Sequence, residues 1–232
     1  MFSQSETLSD HIEIELEEIE SRIQNKKFEQ ALVKIEQLES YSAYTSVDKN
    51  RLNLNLLKAK ALYGNKEPEE SMNLLLSGFN ELSNQNELLL IGEYSLYLGQ
   101  IFAIEKNYNK AIEYYKTFLN NSLKRNDTTE VLKANLFIGG SYHVLDKLDS
   151  ADYYYNEVIK YPVNEKSEEI ISNTYNNFVD IARDVEDFEL AEDYANKMLT
   201  IEQQFKDTVG ISLAFFNLGN IANDNKEFLK AN

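Results

Sequence analysis

Leu98-Gly99-Gln100-Ile101-Phe102-Ala103-Ile104-Glu105-Lys106-Asn107-Tyr108-Asn109-Lys110-Ala111 holds two short words, an apolar-Gly step at its start and an aromatic-x-x-Ala step at its end. The second word recurs as Phe28-Glu29-Gln30-Ala31, Phe188-Glu189-Leu190-Ala191 and Phe228-Leu229-Lys230-Ala231. Leu148-Asp149-Ser150-Ala151 is a variant, and Pro68-Glu69-Glu70-Ser71 keeps the small residue without the aromatic. The small residues stand at 31, 71, 111, 151, 191 and 231, so every interval is 40 residues. A fixed period of this size is the mark of a repeat architecture.

Twelve residues upstream runs a second series: Ile19, Ala59, Gly99, Gly139, Val179 and Gly219. Three residues after each later member comes Leu62, Phe102, Tyr142, Ala182 or Ala222. Large residues follow the second word at +4 (Ile35, Leu75, Tyr115, Tyr155) and at +7 (Leu38, Phe118, Val158, Met198). Spacings of three, four and seven belong to one face of a helix. Each copy is therefore two helices joined by a brief polar turn such as Glu105-Lys106-Asn107, which makes them antiparallel neighbours. Two helices cross closely only where small residues meet. Gly99 with Ala111, Gly139 with Ala151, and also Ala191 and Gly219, are the expected packing positions, with the bulky residues filling the seams. The fold class expected is all-α, a solenoid of about six helix hairpins with the last cut short. Repeats fall at 11–50, 51–90, 91–130, 131–170, 171–210 and 211–232, behind a flexible start at 1–10. Lys226 to Asn232 reads as the opening of a further second helix, which implies a longer natural protein.

Composition narrows function by exclusion. The chain has 232 residues with 23 basic and 39 acidic side chains, a formal charge of −16. Phosphate binding needs a basic face, so nucleic acid is not the expected direct partner. With no cysteine, disulfides, thiolate chemistry and cysteine zinc sites are ruled out. No apolar run approaches the length that spans a bilayer. The two histidines, His11 and His143, sit in different repeats, and no spacing gives them convergent partners. The acids of Glu13-Ile14-Glu15-Leu16-Glu17-Glu18 lie outside a helical stripe of Ile12, Leu16, Ile19 and Ile23. There is no glycine-rich phosphate loop. No cofactor, metal or catalysis is expected. Tyr115 and Tyr155 read as core residues, with Tyr114, Tyr153 and Tyr154 along the seams. Met1 to Ser5 reads either as the cut end of a leader or as an ordinary frayed terminus. An extracytoplasmic location is the expectation, with a cytoplasmic one as the alternative.

The two words resemble the tetratricopeptide repeat, which carries apolar-Gly in its first helix and aromatic-x-x-Ala in its second. The resemblance covers about residues 11–232. The family's Trp is replaced by Ser95, Asn135, Tyr175 and Phe215, and the period is 40 where 34 is usual. It is similar to the long-period repeats of bacterial regulators and kinesin light chains. The resemblance implies a right-handed superhelix whose first helices line a ligand-binding face. By register that face holds Asn53, Lys60, Tyr63, Gln100, Lys133, His143, Asn173, Asn176, Asp180, Arg183, Asn220 and Asn223. Asparagine amides suit the backbone of an extended peptide, and Arg183 suits a carboxylate. Leu56, Lys60, Leu96, Gln100 and Leu136 do not match the carboxylate-clamp subtype. The function implied is a protein- or peptide-binding scaffold, as the sensor or interaction region of a larger bacterial signalling or transcription-regulatory protein. The alternative is a free-standing cytoplasmic adaptor or peptide-pheromone receptor.

Overall fold

The computed structural model describes residues 8–41, 48–82 and 87–231. Of the flexible start expected at 1–10, residues 1–7 lie outside the described residues, and Leu8 to Asp10 already belong to the first helix. Among the described residues there are eleven helices and no strand. They are α1 (Leu8–Gln24), α2 (Phe28–Glu39), α3 (Asp48–Gly64), α4 (Pro68–Leu82), α5 (Leu88–Ile104), α6 (Tyr108–Arg125), α7 (Thr128–Val144), α8 (Leu148–Ile159), α9 (Glu168–Asp184), α10 (Phe188–Phe205) and α11 (Thr208–Ala231). Odd-numbered helices are the first helices of the repeats and even-numbered ones the second. The helices pack into two compact units, Met1–Lys106 and Asn107–Asn232.

The first unit holds α1 to α5. The stripe on α1 turns inward as its spacing dictates. Ile12 and Ile19 are buried, and Leu16 and Ile23 pack against a cluster of Ala31, Ile35 and Leu38 from α2 and Leu54, Leu57 and Ala61 from α3. Burying one such side chain contributes about 1.5–3 kcal/mol. The close crossing foreseen at the small positions is visible between α3 and α4, where Ser71 Oγ donates to the Ala59 carbonyl at 2.8 Å. Both residues are fully buried. A serine serves in that slot because its hydroxyl finds the carbonyl of the crossing helix. Tyr94 of α5 reaches across to donate its hydroxyl to the Leu52 carbonyl at 2.8 Å. Its ring lies in the space that a side chain at Gly78 would need.

The second unit holds α6 to α11. Ala111, Ala151 and Ala191 are all fully buried. Gly139 is buried under an aromatic ring: a Cβ there would come within 2.5 Å of Tyr155. Tyr155 and Tyr115 are core residues, 0% and 3% exposed, while Tyr153 is 59% exposed. Tyr155 packs edge-on against Phe178, and Phe178 stacks on Tyr194 at 4.7 Å. Two of the second helices here, α6 and α10, begin under side-chain caps, whereas Lys147 gives α8 none. Asn107 accepts from the Lys110 N–H, and Asp187 accepts from the Leu190 N–H.

The turns repeat as strictly as the core. Lys26, Lys66, Lys106, Asp146 and Glu186 all have positive φ, between 56° and 68°, at intervals of 40. At Lys66 the backbone N–H bonds the Tyr63 carbonyl and the next N–H, of Glu67, bonds Leu62. That pair of bonds is the Schellman ending of a helix, usually built around glycine. Asn126 and Lys206 close α6 and α10 in the same left-handed conformation. Between α8 and α9 the ending differs, because Pro162 has no N–H to give. There the buried Ser167 hydroxyl donates to the Pro162 carbonyl at 2.9 Å.

The end of the chain departs from expectation. Lys226 is in phase with the five left-handed turn residues, yet α11 runs unbroken from Thr208 to Ala231. No second helix begins near Phe228, whose side chain lies outside the described residues, as do those up to Ala231. Continuing α11 keeps backbone hydrogen bonds that a turn would break. Gly219 is consequently not a packing position. It is exposed, and a Cβ there would meet nothing within 4 Å.

Candidate binding groove

In the first unit the faces of α1, α3 and α5 border a groove of about 330 Å³. Leu16, Glu17 and Glu20 line it from α1, Asn53, Leu56, Leu57 and Lys60 from α3, and Leu89, Leu90 and Glu93 from α5. All three are first helices, as register placed them. Lys60 sits at the centre with its side chain only 7% exposed. Its ammonium lies 3.4 Å from Glu20, 3.3 Å from Glu93 and 4.7 Å above the Tyr97 ring. Burial opposes the Lys60 charge, but Tyr97, Glu93 and Glu20 outweigh it and lift its pKa above the ordinary lysine value. Burial also pushes the Tyr97 hydroxyl up, against the pull of Lys60. At neutral pH the floor of the groove is therefore an ammonium held between two carboxylates. Gln100 is half-buried on the same helix as Glu93, one heptad on, and does not line the groove.

In the second unit the corresponding faces belong to α7, α9 and α11. Three of their polar residues are stitched to partners across repeats. His143 Nε2 lies 3.5 Å from Asp184, and Asn176 Oδ1 accepts from Asn217 at 2.7 Å. Arg183 gives two bonds to Asp224 Oδ2, from Nε at 2.9 Å and from a terminal nitrogen at 2.7 Å. Each of these partners is 41 residues away, one period plus one. Asp180 is half-buried, and burial raises its pKa while Arg183 and His143 pull the other way. Lys133 pairs with Glu130 of its own helix at 3.3 Å. Asn173 and Asn223 are exposed, and Asn220 is half-buried.

Sequence reasoning named one end of each pair and missed the other: Glu20, Glu93, Asp184, Asn217 and Asp224. The signal was available. Adding or subtracting 40 or 41 finds Glu20 for Lys60 and the partners of His143, Asn176 and Arg183, but not Glu93, which lies 33 residues from Lys60. Among the described residues no group of three or more His, Asp or Glu is placed to hold a metal ion, and no helix is long and apolar enough to cross a membrane.

This arrangement of stacked hairpins is the tetratricopeptide-like helical repeat fold. No family model and no curated protein matches the chain. Solved structures do. The apo form of the quorum sensor NprR from B. thuringiensis superposes with a TM-score of 0.75 at 12% identity, over 98% of this chain and 64% of that one. A putative kinesin light chain of nearly identical TPR-like repeats from Podosopora anserina gives 0.65 at 14% identity, over 85% and 97%. A Rap protein complexed with Competence and Sporulation Factor gives 0.60 at 16% identity, over 96% and 66%. The chain thus spans about two thirds of the NprR and Rap chains. At these identities the likeness is one of fold.

Proposed function

We propose that this chain is a non-catalytic scaffold that binds peptides or proteins on its first-helix faces. The observation that carries the reading is the leucine-walled groove between α1, α3 and α5, with its charged floor. Concave, mostly apolar surfaces with a few fixed polar groups are the common form of a binding site. The test uses the whole 232-residue chain, immobilised, against a phage library of random linear octapeptides. Retained sequences that bind again as synthetic peptides, with Kd in the micromolar range, are the expected outcome. Failure to retain any sequence would remove the peptide reading.

We further propose that the scaffold is the sensor or interaction region of a larger bacterial signalling or transcription-regulatory protein. The support is that the quorum sensor it superposes on is a longer chain. Reading the coding frame beyond Asn232 tests this: an output domain is expected, and a stop codon within a few residues would sink it. A free-standing receptor for a small signal is the second reading, favoured by the likeness to the Rap protein complexed with Competence and Sporulation Factor.

A further inference from the structure

We propose that the α1–α3–α5 groove takes a short linear peptide in which an arginine or lysine is flanked by leucine-sized side chains. This rests on the scaffold reading and gives that site its ligand chemistry. The apolar half of the argument is the wall. Leu16, Leu56, Leu57, Leu89 and Leu90 come from three successive first helices. Leu89 is 53% exposed there, so covering it removes apolar surface from water.

The charged half is the imbalance on the floor. Three carboxylates, Glu17, Glu20 and Glu93, border the groove against the single ammonium of Lys60. Lys60 does not saturate its partners. Its contacts of 3.3 and 3.4 Å are long for charge-assisted hydrogen bonds, and it engages Glu93 through one oxygen only. Glu20 and Glu93 remain 35% and 28% exposed, within reach of a second cation. Glu17 is exposed and has no ion pair among the described residues. A carboxylate accepts a guanidinium through two oxygens, so an arginine entering from solvent meets unused acceptors. The formal charge of −16 favours the approach of cationic ligands in the same direction. An acidic peptide would set like charges against one another in a partly desolvated groove.

The probes are four end-blocked pentapeptides: Gly-Leu-Arg-Leu-Gly, its Gln and Glu analogues at the centre, and Gly-Ser-Arg-Ser-Gly. Calorimetric titration into the whole chain at low salt is expected to rank the arginine peptide first. It should bind at least about tenfold more tightly than the glutamate analogue. Raising salt from about 50 to about 500 mM should narrow that gap. Two variants at exposed positions locate the site without threatening the fold. Glu17→Gln should weaken the arginine peptide about two- to fivefold and leave the glutamine peptide unchanged. Leu89→Ser should weaken every leucine-containing probe. A glutamate peptide that binds as tightly as the arginine one overturns the proposal. So does indifference to both variants, which would leave the scaffold reading standing with its ligand seated elsewhere. Absence of binding by all four probes also overturns it, while retention in the octapeptide screen decides the scaffold reading separately.

Discussion

Two glycines in equivalent slots of the repeat meet opposite surroundings. At Gly139 a methyl group would collide with the buried ring of Tyr155, and that ring has nowhere to go. Gly139→Ala should therefore lower stability by about 1–2 kcal/mol, the overpacking outweighing the better helix propensity. At Gly219 the same methyl meets open space. Gly219→Ala in this 232-residue chain should raise stability by about 0.5–1 kcal/mol. Denaturant titration of the pair checks both signs, and equal shifts would refute the packing described. Two buried tyrosines make a second contrast. The Tyr155 hydroxyl is buried without a hydrogen-bond partner, whereas that of Tyr94 bonds the Leu52 carbonyl. Tyr155→Phe is expected to be neutral or stabilising by up to about 1 kcal/mol, and Tyr94→Phe to cost about 1 kcal/mol.

Among the elements, the turns are where the sequence departs most from the usual pattern. Five first helices end on a left-handed residue that is lysine, aspartate or glutamate instead of glycine. A side chain in that conformation costs about 1–2 kcal/mol, so each turn holds strain that the rest of the fold offsets. Lys66→Gly should relieve it and stabilise the chain by roughly 0.5–1 kcal/mol in thermal melting. A loss of stability there would show that the lysine makes a contact the turn depends on. The polar pairs between first helices are a second feature of this level. Arg183 with Asp224, and Lys60 with Glu20 and Glu93, bind one repeat to the next. Removing the Lys60 charge with Lys60→Met would leave two carboxylates facing each other. The expected destabilisation is about 1–2 kcal/mol, less than for a fully buried pair because both glutamates are partly in water.

Within each unit, every helix packs on its neighbours in sequence, so stability is a chain of local terms. In the second unit α11 packs on α10 and α9 and leaves Val209, Phe215 and Phe216 more than half exposed. Its backbone amides should exchange with an opening free energy about 1–2 kcal/mol below those of α9 in a hydrogen-exchange experiment. Equal protection would mean that α11 is held by more than its visible contacts. Much of this architecture was legible beforehand. The 40-residue phase placed the helix pairs, and Ile19, Ala59, Gly139 and Val179 are buried where their spacing put them. The stripe of candidate groove residues was legible as a face but not as a site, since Lys60, His143, Asn176 and Arg183 each face a partner on a neighbouring first helix that the stripe did not include.

The sequence by itself determined the helical class, the 40-residue period and the burial of Gly139, Ala151 and Ala191. These follow from backbone geometry and side-chain volume, which act within one repeat and are written in local spacing. Tertiary structure decided that Lys226 stays helical, that Gly219 is bare, and that Lys60 lies in a leucine-walled groove shared by three helices. Those outcomes depend on contacts between residues far apart in the chain, and local spacing carries no record of them.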